Sequence, residues 1–282
     1  MLATTEEGVR VRLDVSLWLA VAAGGFRRYA TYTTATAAGV FTNTVFGFVI
    51  ASTYLALWAE RPGLGGYDQA QALTFVWVSQ ALLATSGLMG GGFHDELQQR
   101  VRTGDIVVDL YRPADLQLWY LAGDLGRAAF QLLGRGVVPL TVGAFAFELA
   151  LPTDPARWLL FLVSVLLGSV VSFAIRYLLG LAAFWLLDGA GVNLVVTVAA
   201  IFFSGMVLPL NVFPGAFGEF VRLLPWAAML QVPLDVLMGT QGAEGAGLVR
   251  ALGFQLGWAL ALLGLGRLVQ SAATHKVVVQ GG

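Results

Sequence analysis

WLLFLVSVLLGSVVSFAIRYLLGLAAFWLL, running from Trp158 to Leu187, contains one charged residue, Arg176. At about 1.5 Å per residue a helix over this stretch is about 45 Å long, against a bilayer hydrocarbon core of about 30 Å. It reads as a membrane span that must tilt, kink or protrude. The rest of the chain agrees: 57% of the 282 residues are hydrophobic and 12% charged, with 35 glycines and a mean hydropathy of +0.76. Soluble domains carry roughly 25% charged residues, so this is the composition of close-packed helices in lipid.

Five more stretches have the length of a span. They are Thr31–Leu57, Ala70–Gly91, Arg127–Leu149, Val192–Leu210 and Leu248–Leu268. The threonines and Asn43 of the first predict a protein-facing helix. The fold expected is an all-α integral membrane protein with six transmembrane helices. Alternating the loops between the two sides puts Arg10, Arg12, Arg27, Arg28, Arg100, Arg102, Arg112, Arg127, Arg267 and Lys276 on the N-terminal side. Arg61, Arg157, Arg222 and Arg250 fall on the other. The positive-inside rule then predicts both termini in the cytoplasm.

Several function classes are excluded by what is absent. The chain has no cysteine, two distant histidines (His94 and His275) and a net charge of -1, which removes thiolate chemistry, a histidine metal site and a general affinity for nucleic acid. Its single lysine, Lys276, cannot belong to a G-x-x-x-x-G-K-[ST] phosphate loop. Ser204 beside Gly205 has no histidine within a span to act as its base, and Asp105 and Asp124 fall in a loop, so an intramembrane protease is poorly supported.

Three segments outside the spans are organised. Residues 10–28 place Val11, Val15, Trp18 and Ala22 on one helical face and predict an N-terminal interfacial helix; the acidic start at Glu6 and Glu7 argues against a secretory signal. In the inner loop, residues 92–126, Phe93, Leu97 and Val101 repeat at helical spacing. Asp95, Glu96, Arg100, Arg102, Asp105 and Arg112 supply mixed charge, so the loop reads as a docking element for a protein partner. The outer segment, residues 209–239, contains Pro209, Pro214, Pro225 and Pro233 among apolar residues and predicts a re-entrant hairpin of two short helices.

Within the spans, Arg135 lies two turns beyond Arg127, about 12 Å deeper on a straight helix. Buried membrane charges are often functional, although a long side chain can snorkel. Arg176 is expected at the inner interface. Gly253 and Gly257 form a G-x-x-x-G face for close helix approach.

This layout, with RRYATY at 27–32, FTNTVFGF at 41–48, GDIVVDLYRP at 104–113 and VVVQGG at 277–282, resembles bacterial ABC-2 type transporter permeases over nearly the whole chain. The resemblance implies an exporter subunit in the bacterial cytoplasmic membrane. It pairs with a second permease chain, of a different kind, and with two copies of an ATP-binding subunit that holds the ATP and magnesium; this chain itself has no cofactor and no enzymatic activity. It further implies a cytoplasmic coupling helix over Phe93–Arg102, a connecting helix over residues 10–28, and a dimer interface on the first and fifth spans. The implied path runs along the second and fifth spans, with Thr74, Gln80, Thr85, Thr197, Phe202, Phe203 and Ser204 as candidates beside Arg135. Two other classes fit the bundle less well. A secondary transporter is expected to show repeated halves and paired membrane carboxylates; a non-transporting membrane scaffold would use the same docking loop.

Overall fold

The computed structural model describes residues 15–88, 92–186 and 189–280, where every regular element is a helix. In chain order these are α1 (Val15–Ala30), α2 (Thr33–Glu60), α3 (Gln69–Leu82), α4 (Phe93–Thr103), α5 (Ile106–Leu110) and α6 (Leu116–Gln131). Helix α6 passes through a π turn, Leu132–Gly136, into α7 (Val137–Ala146). Then come α8 (Pro155–Leu181), α9 (Ala190–Phe203), α10 (Gly215–Leu223), α11 (Gln231–Met238) and α12 (Ala246–Gln280). Four stretches are long and apolar enough to cross a membrane: Thr33–Glu60, Leu116–Ala146, Pro155–Phe184 and Ala246–His275.

The helices start where the sequence caps them. Asp68 accepts a hydrogen bond from the Gln71 backbone N–H at 2.8 Å while the Gln71 side chain accepts from the Asp68 backbone, a reciprocal capping box that opens α3. Asp115 caps α6 through the Leu118 N–H at 2.7 Å, and Asp154, followed by Pro155 at the first helical position, caps α8. Helix α4 carries Asp95 and Glu96 in its first turn and Arg100 and Arg102 in its last, which complements the helix dipole, and Gly104 ends it with a left-handed φ of 83°.

Helix α8 is the mast of the bundle. Two apolar cores are stacked along it, one joining Tyr54, Trp58, Tyr67, Phe75 and Leu234 to Phe161 and Val165, the other joining Leu97, Ile106 and Leu116 to Phe173 and Tyr177. Between them Gly168 lets the backbone of Ala228 and Met229 approach α8, and Gln255 of α12 donates to the Ser164 and Ala228 carbonyls at 3.0 and 2.8 Å. The segment Pro225–Met238 thus lies inside the bundle, while α10 leaves Phe217, Phe220 and Leu223 exposed. Two short helices lie on either side of Pro225, as the proline spacing predicts.

Other expectations change. Helix α3 has 14 residues, about 21 Å, and stops at Leu82 rather than continuing to Gly91; residues 89–91 lie outside the described chain. All eleven residues from Ala72 to Leu82 are buried, so α3 is a helix enclosed by protein on every side. Helix α9 also has 14 residues, with Ala200 its one buried residue. The third span begins at Leu116, not Arg127, so Asp124 and Arg127 sit on a membrane-length helix and not in a loop. Helix α2 buries only the stripe Gly39, Asn43, Gly47, Ala51, Tyr54 and Trp58, leaving Phe41, Phe46 and Val49 outward, so its polarity does not make it protein-facing all round within this chain. Gly253 and Gly257 of α12 meet nothing within 4 Å, and that small-residue face is unused by the chain itself.

Candidate functional site

Helix α4 is clamped to the end of the bundle by its apolar stripe. Leu97 is fully buried against Gly180 of α8, and Phe93 stacks on Phe173 with ring centroids 4.9 Å apart. Val101 packs into the same core. These three docking candidates therefore face inward; their helical spacing marks the face that holds α4 in place. Glu96 is paired at 3.0 Å with Arg28 of α1. Asp109 of α5, buried, clasps both Arg100 and Arg112, and Arg112 also lies over the Trp119 ring at 4.5 Å. Asp95, Arg102 and Asp105 point outward, joined there by Val108 and Tyr111, which are 63% and 85% exposed. The sequence reading missed Val108 and Tyr111 as surface residues because Ile106–Leu110 shows no periodicity over so short a run.

Helix α1 packs along α6 through glycines. Gly25 faces the Gly123 backbone and Gly126 faces that of Ala22, closely enough that a Cβ at either would overlap a carbonyl, and Phe26 meets Phe130 edge-on at 5.4 Å. Val15, on the face expected to meet the membrane surface, is 66% exposed; residues 10–14, with Val11, lie outside the described chain. A cleft of about 950 Å³ is bordered by α1, α4 and α6, with Arg28, Glu96, Trp119 and Tyr120 on its walls.

Directly above α4 lies a buried charge cluster. Asp124 receives Arg127 Nε at 2.6 Å and, from the other side, Arg176 Nη1 at 3.1 Å and Nη2 at 2.6 Å in a bidentate pair. The three side chains are 1–7% exposed. The remaining donors of Arg127 reach the Ala84 and Thr85 carbonyls at 2.7 and 3.0 Å, and Ser172, itself bonded to Arg176 Nε, donates to the Ser86 carbonyl. These are backbone groups released where α3 unwinds, and the cluster satisfies them away from water. Arg176 also lies 5.2 Å over the ring of Phe93. It is buried in protein, locked at the junction of α3, α4, α6 and α8. Beside it His94 is buried, and burial together with Arg176 outweighs Asp95 to hold its pKa below the usual histidine value.

A second cavity, of about 590 Å³, lies between α2, α3, the α6 to α7 turn and α9. Apolar walls come from Phe46, Ile50, Leu83, Ile201 and Met206, and polar groups from Asn43, Gln80, Gln131 and Arg135. The π turn that carries Arg135 has a covalent cause. Pro139 lacks the N–H that would bond to the Arg135 carbonyl, and its ring crowds that carbonyl, so the helix loosens just before it.

Of the path candidates, the structure brings Gln80 and Arg135 to this cavity. Thr74 instead staples the far end of α3, donating to the Ala70 carbonyl and accepting from the Ala150 N–H, both at 2.7 Å. Thr85 is buried behind Arg127, and Thr197 lines a small void near His94. Phe202 is 51% exposed, Phe203 packs on Trp226, and Ser204 is buried with its carbonyl accepting from Gln231 N–H at 3.0 Å.

At the opposite end of the bundle Tyr67 donates to Asp235 at 2.6 Å, and Thr240 and Gln231 donate to the same carboxylate at 2.8 Å each. Burial pushes the Asp235 carboxyl up to about 6 despite these donors, and burial next to Asp235 raises Tyr67 as well. The network ties the loop before α3 to α11.

Membrane-length helices around a mainly apolar cavity with a few polar groups, with an amphipathic platform clamped to one end, are the architecture of an integral membrane protein. The family model of the ABC-2 family transporter proteins matches residues 41–281, and the chain belongs to that family. It is a multi-pass membrane protein and a permease component of an ABC transporter, a transport subunit and not itself the catalytic one. No curated protein matches the chain at a significant level.

Proposed function

We propose that the chain is the permease half of an ATP-driven exporter in the bacterial cytoplasmic membrane, working with a second, different permease chain and two copies of an ATP-binding subunit that carries the ATP and magnesium. The observation that carries this reading is the outward face of α4 and α5. A rigid platform held by Leu97, Phe93 and the Glu96–Arg28 pair presents Asp95, Arg102, Asp105, Val108 and Tyr111 together, an apolar centre with charged neighbours suited to a protein partner. The family membership supports the identity of that partner.

In this reading both termini are cytoplasmic, α1 is the connecting helix and α4 the coupling helix. Helices α3 and α9 complete six passes together with the turns that follow them, and Pro225–Met238 is a re-entrant element near the outer mouth. Closure of the ATP-binding subunits pushes on α4. Phe93 passes the push to Arg176 and Phe173, and through the Asp124 cluster to the unwound end of α3, which borders the 590 Å³ cavity. The cavity then alternates between the two sides of the membrane.

The test is Tyr111→Asp, combined with Val108→Asp, in the chain purified from its native host. The expected result is loss of the co-eluting ATP-binding subunit and of vanadate-sensitive ATP hydrolysis, with an unchanged elution profile for the permease. Full hydrolysis and substrate-coupled transport in the double variant would contradict the docking reading, and a chain that never carries an ATP-binding subunit would favour the membrane scaffold.

A further inference from the structure

Every guanidinium in a low-dielectric site needs an anion or a set of acceptors, because an unpaired buried charge is costly. Among the described residues Arg127 and Arg176 have both. Arg135 has neither: it forms no salt bridge or hydrogen bond there, and its Nε is buried without a partner. Its guanidinium lies against Gly39 of α2, where any Cβ would overlap it.

Two more unanswered groups share the cavity. Gln80 and Gln131 are 2% and 7% exposed, both line it, and the side-chain oxygen of each has no donor. The lining therefore offers one free cation beside the already paired Arg127, two unanswered acceptors, and apolar surface from Phe46, Ile50, Leu83, Ile201 and Met206. Arg135 lies beside Gly39, six residues into α2 and so about 9 Å along it from the end next to α1.

We infer that this cavity binds an anionic amphiphile whose acid group, phosphate or carboxylate, pairs with Arg135 and whose headgroup hydroxyls donate to Gln80 and Gln131. The acid answers the free cation, and hydroxyls answer the orphaned oxygens, which a choline or other donor-free headgroup leaves unpaired. The apolar walls take the hydrocarbon. About 590 Å³ holds a headgroup and the first part of its chains, the remainder lying along the exposed apolar face of α2. The inference deepens the reading of this cavity as part of the path and rests on it for any role in transport; the binding itself is tested apart from transport.

The probe is dioleoyl phosphatidylglycerol, with dioleoyl phosphatidylcholine as the zwitterionic control, added to the full chain with its co-purifying subunits in mild detergent and read by native mass spectrometry. Phosphatidylglycerol is expected to be retained by the wild type in preference to the control. Arg135→Gln lowers its occupancy about tenfold, the loss of one charge-assisted contact, and Arg135→Lys restores part of it. Gln131→Leu gives a smaller loss and keeps the inference testable if Arg135→Gln assembles poorly. Competition with soluble glycerol 1-phosphate separates the sources. Retention of lipid with no displacement identifies a bilayer lipid as the occupant, and displacement identifies a water-borne acid recognised by the same pole. Equal retention of the two lipids by the wild type, or equal phosphatidylglycerol occupancy in wild type, Arg135→Gln and Gln131→Leu, overturns the inference. Failure of this binding with intact loss of coupling in the Tyr111 and Val108 variant would leave the transporter reading standing.

Discussion

Arg127 and Arg135 sit two turns apart on one membrane-length helix and have opposite surroundings. The first is enclosed by Asp124 and two backbone carbonyls; the second faces a cavity with no counterion among the described residues. The contrast teaches that a membrane arginine is not functional or structural by type. Where its donors are all answered by the fold, the residue fastens the fold, here the broken end of α3. Where they are not, the described residues leave a charge for a further group to neutralise.

The contrast breaks most severely at Asp124. Asp124→Asn leaves two buried guanidinium groups without a counterion, and the expected loss is about 3–5 kcal/mol in denaturant unfolding in detergent; a loss below about 1 kcal/mol would mean that water reaches the cluster. Arg176→Lys comes next. An ammonium cannot make the bidentate pair with Asp124 and also reach Ser172, so a loss of about 1–3 kcal/mol is expected by the same measurement.

Asp235 sharpens the contrast with a buried acid that has donors but no paired cation. Its folded pKa, about 6, lies above the ordinary 3.8, so the native state binds the proton more tightly than the unfolded one. The stability this contributes is present below pH 3.8 and is lost as pH rises towards and through about 6. Unfolding midpoints measured across pH 4 to about 7 are expected to fall with rising pH in the wild type and to fall less steeply in Asp235→Asn. The smallest effect on stability belongs to Gly39→Ala. The atoms nearest its new Cβ are the flexible end of Arg135, so the cost should stay under about 1 kcal/mol while Arg135 is displaced and phosphatidylglycerol occupancy drops.

The long helices were legible in the sequence because each carries its own signal: an apolar run of span length and, for α8, an Asp-Pro start. The platform was legible as well, although the stripe Phe93, Leu97 and Val101 marks its inner face and its outer face had to be seen. What stayed hidden depends on distant residues meeting. Thr85, Ser86 and Gly87, the last at a φ of 62°, are a local break signal after Leu82, but that Arg127 and Ser172 answer the carbonyls freed there could not be read from it. Asp124, set between Gly123 and Gly126, looked like loop, and Arg127 and Arg176 looked like interface markers, because a sequence gives the charge of a residue and not its counterion. Pro139 is a further local signal, four residues after Arg135 and placed to open the helix at that position.

The most direct measurement is the unfolding free energy of Arg127→Gln beside that of Arg135→Gln, in the same detergent and free of added lipid. Arg127→Gln should lose about 3 kcal/mol or more, and Arg135→Gln should be unchanged or more stable, since it removes an unpaired charge. An equal loss in both variants would show that Arg135 has a partner within the protein and would contradict the division between a fastening arginine and a waiting one.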